Sequence, residues 1–246
     1  MKKRDSLGDR MKNSYENRNK TYLTKRTPVM LRLDGKAFST YTKGFERPFS
    51  KPLSDLMTDT ALFLAQEIQG AKLVYTQSDE ISILITDFDD IKTDAWFGYE
   101  TSKMNSIAAS LATGKFNDLV RRRGLNTKND KLAFFDCRAF TIPREEVMNC
   151  FRWRYQDWLR NSIQMLAQAN FSHKELHGKN KSNMHDMLML EKGINWNDLD
   201  PLWKNGTLIY KNDEGKWFKD NDIKFIQEEG FSDFCKKVMK IDCHSF

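Results

Sequence analysis

The chain has 246 residues, 39% hydrophobic and 30% charged, enough for one large domain or two small ones and polar enough to be well solvated. No apolar run approaches the roughly 18–20 residues of a membrane helix, and the basic start MKKRDSLGDRMKNSYENRNK has no apolar segment behind it. Neither a membrane span nor a secretory signal is expected, and the cytoplasm is the expected compartment.

The first 25 or so residues are polar and predict an arm or a surface helix. In TPVMLRLDG, Val29, Leu31 and Leu33 alternate with Met30 and Arg32, a strand that stops at the turn signal Asp34-Gly35. Pro52 to Gln69 reads as a helix: Leu53, Leu56, Met57, Leu64 and Ile68 recur at helical spacing, Pro52 suits a first turn and Gly70 an end. Lys72–Tyr75 and Ile81–Thr86 read as strands separated only by TQSDE, hence a hairpin or tight return. A helix follows over Thr101–Val120, ended by Arg121-Arg122-Arg123-Gly124. Leu132–Phe135 and Arg138–Ile142 are strand-like, and Glu145–Ala169 predicts a long helix after Pro143. The remainder is mixed and rich in aromatics, with Trp196, Trp203, Trp217 and Phe218, and its elements cannot be ordered from the pattern.

Strand, helix, strand, strand, helix, strand is the ferredoxin-like order of an α+β fold, an antiparallel βαββαβ sheet with helices on one face. Residues 1–145 read as this core and 146–246 as a helical and mixed extension packed on it, either a second domain or continuous with the first. In that topology the first and third strands are antiparallel neighbours, so Asp34 at the end of one and Asp79 at the start of the other meet at one edge of the sheet. Carboxylates a few ångströms apart coexist ionised if a cation lies between them, and oxygen donors with room for water and phosphate suit Mg²⁺. Two such ions on a triphosphate form the clamp of phosphoryl transfer. Gly35, lacking Cβ, admits a close ligand and offers its carbonyl. The plainer alternative is an ordinary Asp34-Gly35 turn and a solvated Asp79-Glu80 hairpin tip.

RLDGKAF (Arg32–Phe38) and YTQSDEISILI (Tyr75–Ile85) resemble the signature segments of the tRNA(His) guanylyltransferase family, 3′–5′ nucleotide-adding enzymes with a polymerase-type palm. FDCR (Phe135–Arg138), WRYQD (Trp153–Asp157) and KNGTLIY (Lys204–Tyr210) resemble later family segments, so the likeness spans about Arg4 to Tyr210. It implies a magnesium-dependent enzyme with two Mg²⁺ ions held by Asp34, Asp79 and the Gly35 carbonyl, with Glu80 assisting. It implies nucleotide contacts from Lys36, Ala37, Phe38, Ser39 and Ser78, and further cations near the phosphates from Arg47 and Lys103. ATP, GTP and other nucleoside triphosphates are the implied substrates, tRNA the implied partner and a homotetramer the implied assembly. Eukaryotic members carry an HINN stretch where this chain has Leu159-Arg160-Asn161-Ser162, keeping only Asn161 of the paired asparagines. That departure places the chain nearer the bacterial, archaeal and viral like-proteins, associated with template-directed repair of 5′-truncated tRNA.

The net charge of +6 is clustered at Lys2–Arg4, Lys20–Arg26, Arg121–Arg123, Arg152–Arg154 and Lys179–Lys181, which suits a polyanion or simply a solvated basic surface. Arg121, Arg122, Arg123, Arg152, Arg154 and Asn161 are the candidate RNA contacts. Phe151-Arg152-Trp153-Arg154 alternates aromatic and basic residues as single-strand binders do, with Trp153 expected in the core and the arginines outside. His173, His177 and His185 lack an HExxH context and are expected at the surface or facing RNA. Cys137, Cys150, Cys235 and Cys243 show no CxxC spacing and read as reduced thiols. No P-loop signature is present. Two other functions share these features: a palm-fold nucleotide cyclase, although the tip QSDEIS lacks that class's paired glycines, and a non-catalytic RNA-binding module, which would place aromatics rather than acids on the sheet.

Overall fold

The computed structural model describes residues 6–125 and 131–240. Cys243 and the Lys2–Arg4 basic group lie outside them. Helix α1 (Leu7–Ser14) is capped by the Ser6 hydroxyl and buries no residue, as a polar surface helix should. Strand β1 (Val29–Gly35) is followed by the short α2 (Phe38–Tyr41) and by α3 (Lys51–Glu67), whose start is set by Ser50 accepting the Leu53 amide at 3.4 Å and by Pro52 in the first turn. Gly70, at φ 80°, turns the chain into β2 (Ala71–Gln77); a side chain there would strike the Thr86 carbonyl. Strand β3 (Glu80–Ile85), helix α4 (Thr101–Arg122) and strand β4 (Phe135–Thr141) complete the expected β-α-β-β-α-β series. The two apolar stretches expected around residue 135 form one edge strand, with Leu132 and Phe134 exposed before it.

The carboxy-terminal half consists of α5 (Val147–Asn170), α6 (His173–Leu176), α7 (Lys181–Lys192), α8 (Pro201–Asn205), β5 (Thr207–Lys211), β6 (Trp217–Asp220) and α9 (Phe231–Val238). β5 and β6 extend the same sheet, whose order is β4-β1-β3-β2-β5-β6 with all neighbours antiparallel. Alternation along β1 builds two cores. Val29, Leu31 and Leu33 face α3 and α4, packing with Leu56, Leu64, Met104 and Phe116. Met30 points the other way with Leu73, Tyr75 and Leu84, beneath Val147, Phe151 and Tyr155 of α5 and Phe231 of α9. The palm helices thus cover one face and the carboxy-terminal helices the other. No helix among the described residues is long and apolar enough to cross a membrane.

Helix α5 corrects one expectation. Trp153 is 49% exposed and Arg154 only 4%, the reverse of an inward tryptophan with outward arginines. Phe151, Arg154, Tyr155 and Trp158 are the inward stripe at i, i+3, i+4 and i+7, and Trp153 falls off it.

Candidate active site

β2 and β3 are joined by two residues, Ser78 and Asp79, and that shortness puts Asp79 at the sheet end. Asp34 lies opposite Glu80 on one side and Asp136 on the other. The Gly35 amide donates to the Asp79 carbonyl at 3.1 Å, tying the end of β1 to the turn. The two aspartates therefore converge as the topology predicts. Burial first, and then the nearby Asp34 charge, push the Asp79 carboxyl up to about 6 from 3.8, although the Ser78 hydroxyl donates to it at 3.0 Å. Among the described residues neither Asp34 nor Asp79 forms a salt bridge, whereas Glu80 next door does.

Two non-glycine residues beside these carboxylates hold left-handed backbone: Ala37 at φ 53° and Ser78 at φ 49°. Ala37 precedes α2, so the chain after Gly35 turns at once into that helix, whose start has no side-chain cap. A Cβ at Gly35 would collide with the Phe38 ring, which packs on Tyr41, Phe116 and Phe135 at centroid distances of 5.1–5.5 Å. Glycine is needed here for close packing, and Phe38 is buried as a wall of the site rather than offered freely to solvent. Lys36, Ala37 and Ser39 are exposed.

Beside the turn opens a cleft of about 550 Å³. Gly35, Phe38, Ser39, Ser78 and Asp79 form its inner end, and Arg47 stands on its wall. The far wall comes from the carboxy-terminal half: Trp158, Trp203 and Gly206, with Trp203 stacked on Phe49 at 5.2 Å and 10°. Two buried polar atoms of lining residues, Gln77 Oε1 and Trp158 Nε1, have no hydrogen-bond partner among the described residues.

Sequence reasoning missed the support beneath Glu80. Arg154 donates from Nε and Nη2 to the two Glu80 oxygens at 2.9 and 2.8 Å, and from Nη2 to Asp157 at 2.9 Å. Asp157 also accepts from Arg160 at 2.6 Å, and Arg154 and Arg160 together hold its carboxyl below the ordinary range despite partial burial. The signal was the WRYQD segment itself, which supplies both Arg154 and Asp157. The Thr76 hydroxyl fixes the same turn by donating to the Glu80 carbonyl at 2.9 Å. KNGT contributes the strand beside it: Gly206, at φ 76°, passes so close that a Cβ would lie 2.8 Å from the Thr76 carbonyl. The buried Asn205 carbonyl accepts from Tyr75 at 2.8 Å and its side chain from Tyr155 at 3.0 Å.

Other expected residues fall elsewhere. Helix α4 runs antiparallel to β4: its Thr113 hydroxyl accepts the Phe135 amide at 3.2 Å, and its first turn is tied to Thr21. Lys103 is ten residues before Thr113, about 15 Å along the axis, paired with Glu100 at 3.8 Å. Within one chain Lys103 is therefore not brought to the aspartates. As an RNA contact Arg154 is corrected, because it is buried and clasped by carboxylates. Arg152 donates to the Ile226 and Glu228 carbonyls, Arg121 and Arg122 pair with Asp118, and Arg123 pairs with Asp59. Asn161 is exposed and contacts Asp157 at 3.5 Å. Ser162 is buried, donating to the Trp203 carbonyl at 2.6 Å and accepting from Trp196 at 3.0 Å. His173 and His177 are exposed, as expected of surface histidines.

Among the described residues no three His, Cys, Asp or Glu side chains group as a metal cage. Two unpaired carboxylates and a backbone carbonyl fit Mg²⁺, which keeps waters and takes substrate phosphate oxygens. The raised Asp79 carboxyl is what a cation between the aspartates would relieve.

The sequence model for tRNAHis guanylyltransferase matches residues 8–143. A solved bacterial tRNA(His) guanylyltransferase-like protein in complex with ATP is 46% identical, superposes with a TM-score of 0.86, and is matched over 96% of this chain and 98% of its own. A bacterial protein of the same description in complex with GTP is 42% identical with a TM-score of 0.80, covering 96% and 99%. The tRNA(His) guanylyltransferase of Candida glabrata is 26% identical over 197 residues, 74% of this chain and 81% of that protein.

Proposed function

Because the chain belongs to the tRNA(His) guanylyltransferase family, and so is a nucleotidyltransferase, we propose that it adds nucleotides in the 3′–5′ direction to the 5′ end of tRNA, with 5′-truncated tRNA as the substrate class. The observation that carries this reading is Asp79 lining a cleft large enough for a nucleotide, with the Asp34 charge beside it and neither carboxylate in a salt bridge among the described residues.

Asp34, Asp79 and the Gly35 carbonyl would hold two Mg²⁺ ions. When bound, these neutralise charge developing on the phosphoryl oxygens. The chain's own residues do the positioning. The turn from Lys36 to Ser39, with Ser78 facing it, receives the triphosphate of ATP or GTP; Arg47 supplies positive charge from the cleft wall. Glu80, held at both oxygens by Arg154, fixes the turn that carries Asp79.

Two displacements follow from such an arrangement. A 5′-phosphate oxygen of the RNA attacks the α-phosphorus of ATP, pyrophosphate leaves, and the 5′ end is adenylylated. The 3′-hydroxyl of an incoming nucleoside triphosphate then attacks the 5′-phosphorus of the RNA, losing its proton, and AMP leaves. A 5′-triphosphorylated end needs only the second step, with pyrophosphate as the leaving group. Leu159 and buried Ser162 in place of the HINN pattern favour truncated tRNAs over a strict tRNA(His) requirement. A homotetramer in the cytoplasm belongs to the same reading; sedimentation measures the assembly.

The test is incubation with labelled 5′-truncated tRNA, ATP, the four nucleoside triphosphates and Mg²⁺. Lengthening at the 5′ end is expected. A cyclic product from GTP alone, or RNA retention without turnover, would replace this reading with a cyclase or a binding module.

A further inference from the structure

An exposed tryptophan beside a reaction centre calls for a partner. Trp153 stands on the outer side of α5, half in solvent, with the Arg154 guanidinium 4.5 Å from its ring centre and that of Arg32 at 5.6 Å. Arg138 lies directly across from Arg32 in the sheet, its side chain 61% exposed. Arg32 is two residues before Asp34 on the same strand face, roughly 7 Å away along β1. Arg154 clasps Glu80, the neighbour of Asp79. The ring and its cations thus adjoin the aspartates, yet none of Trp153, Arg32 and Arg138 lines the nucleotide cleft. The aspartates stand between the cleft and this second surface.

From that placement we infer that Trp153 is the stacking platform for the 5′-terminal base of the RNA, an assignment that rests on the proposed nucleotide addition to RNA. Joining a nucleotide to an RNA end needs two substrates on either side of the metal-binding carboxylates, and the cleft accommodates one. With Arg154 committed to Glu80 and Asp157, the cations left for a phosphate are Arg32 and Arg138; an aromatic ring with such groups nearby is the chemistry that receives a base and its phosphate in single strands, and it accepts any base because every base has a π-face. Such indifference suits an enzyme that must take RNA ends of different sequence. An apolar protein surface is a poor match for a ring bordered by two arginines.

The experiment is a mutant cycle on binding. Labelled 5′-phosphorylated truncated tRNA, and the same RNA with an abasic 5′-terminal nucleotide, are titrated by fluorescence anisotropy into wild type, Trp153→Ala and Trp153→Phe. KM values for ATP and GTP and melting temperatures are measured on the same proteins. Trp153→Ala should weaken the intact RNA about tenfold, Trp153→Phe no more than about threefold, and KM for the nucleotides should stay within about twofold. The abasic RNA should bind wild type about tenfold more weakly and lose nothing further on Trp153→Ala. Equal affinity of wild type for intact and abasic RNA overturns the assignment and needs no variant. So do additive losses, or a changed nucleotide KM with unchanged RNA binding, which would give the ring to the nucleotide instead. A wild type that fails to lengthen RNA defeats the proposed function alone if the cycle still couples, and both if no RNA binds.

Discussion

Asp79 and Glu80 are adjacent, both acidic and both at the end of the same sheet, yet their surroundings are opposite. Glu80 is held at both oxygens by a buried arginine that also holds Asp157, while Asp79 lies beside Asp34 with no salt-bridge partner among the described residues and carries a raised pKa. A charge already paired serves the fold; one left unpaired beside a second of the same sign is a candidate ligand site. One chain has built both within a single turn, the first holding the second in place.

The largest effect that separates the two is on turnover. Asp79→Ala should reduce nucleotide addition by at least about 10²–10³-fold, the scale for losing a group that stabilises developing charge, while RNA binding holds and the fold is kept. Turnover at the wild-type level would end the distinction. Arg154→Met should act on stability first, costing about 3 kcal/mol by leaving Glu80 and Asp157 without their partner. Denaturant midpoints check it, and Glu80→Gln added to Arg154→Met should recover part of the loss. If Arg154→Met instead melts normally and only chemistry suffers, the arginine belongs to the reaction. Gly206→Ala should cost roughly 1–3 kcal/mol, from a side chain at φ 76° pressed on the Thr76 carbonyl beneath the same turn.

A further effect is on pH dependence. The folded protein holds the Asp79 proton up to about pH 6, against 3.8 for the free group. Folding therefore favours the protonated form, and its contribution is complete below about pH 4 and lost as pH rises through 6. In EDTA, wild type should lose roughly 2–3 kcal/mol at most relative to Asp79→Asn between pH 4 and 7. Mg²⁺ should restore stability at pH 7. Parallel curves for the two proteins would show that Asp79 does not titrate there.

Much of this could be read before the fold was known. The β-α-β-β-α-β series and the meeting of Asp34 with Asp79 follow from local periodicity and a short hairpin, which are short-range signals. The KNGTLIY resemblance implied a strand at β5, but its place in the sheet and strand β6 were not legible, because Thr207–Lys211 is seated by pairing with β2, more than 130 residues earlier. The cleft's far wall, Trp158 and Trp203, depends on that same long-range docking. Lys103 was misplaced by its motif although topology forbids it: β3 starts at the aspartate end, so the helix after it starts at the other. Trp153 was misplaced by residue type, although the stripe of Phe151, Tyr155 and Trp158 already excluded it.

The most direct measurement is the anomalous scattering of Mn²⁺ in crystals grown with GTP. The account predicts a peak within about 2 Å of carboxylate oxygens from both Asp34 and Asp79, with phosphate oxygens completing the shell. Manganese bound elsewhere, or touching only one of the two, would contradict it.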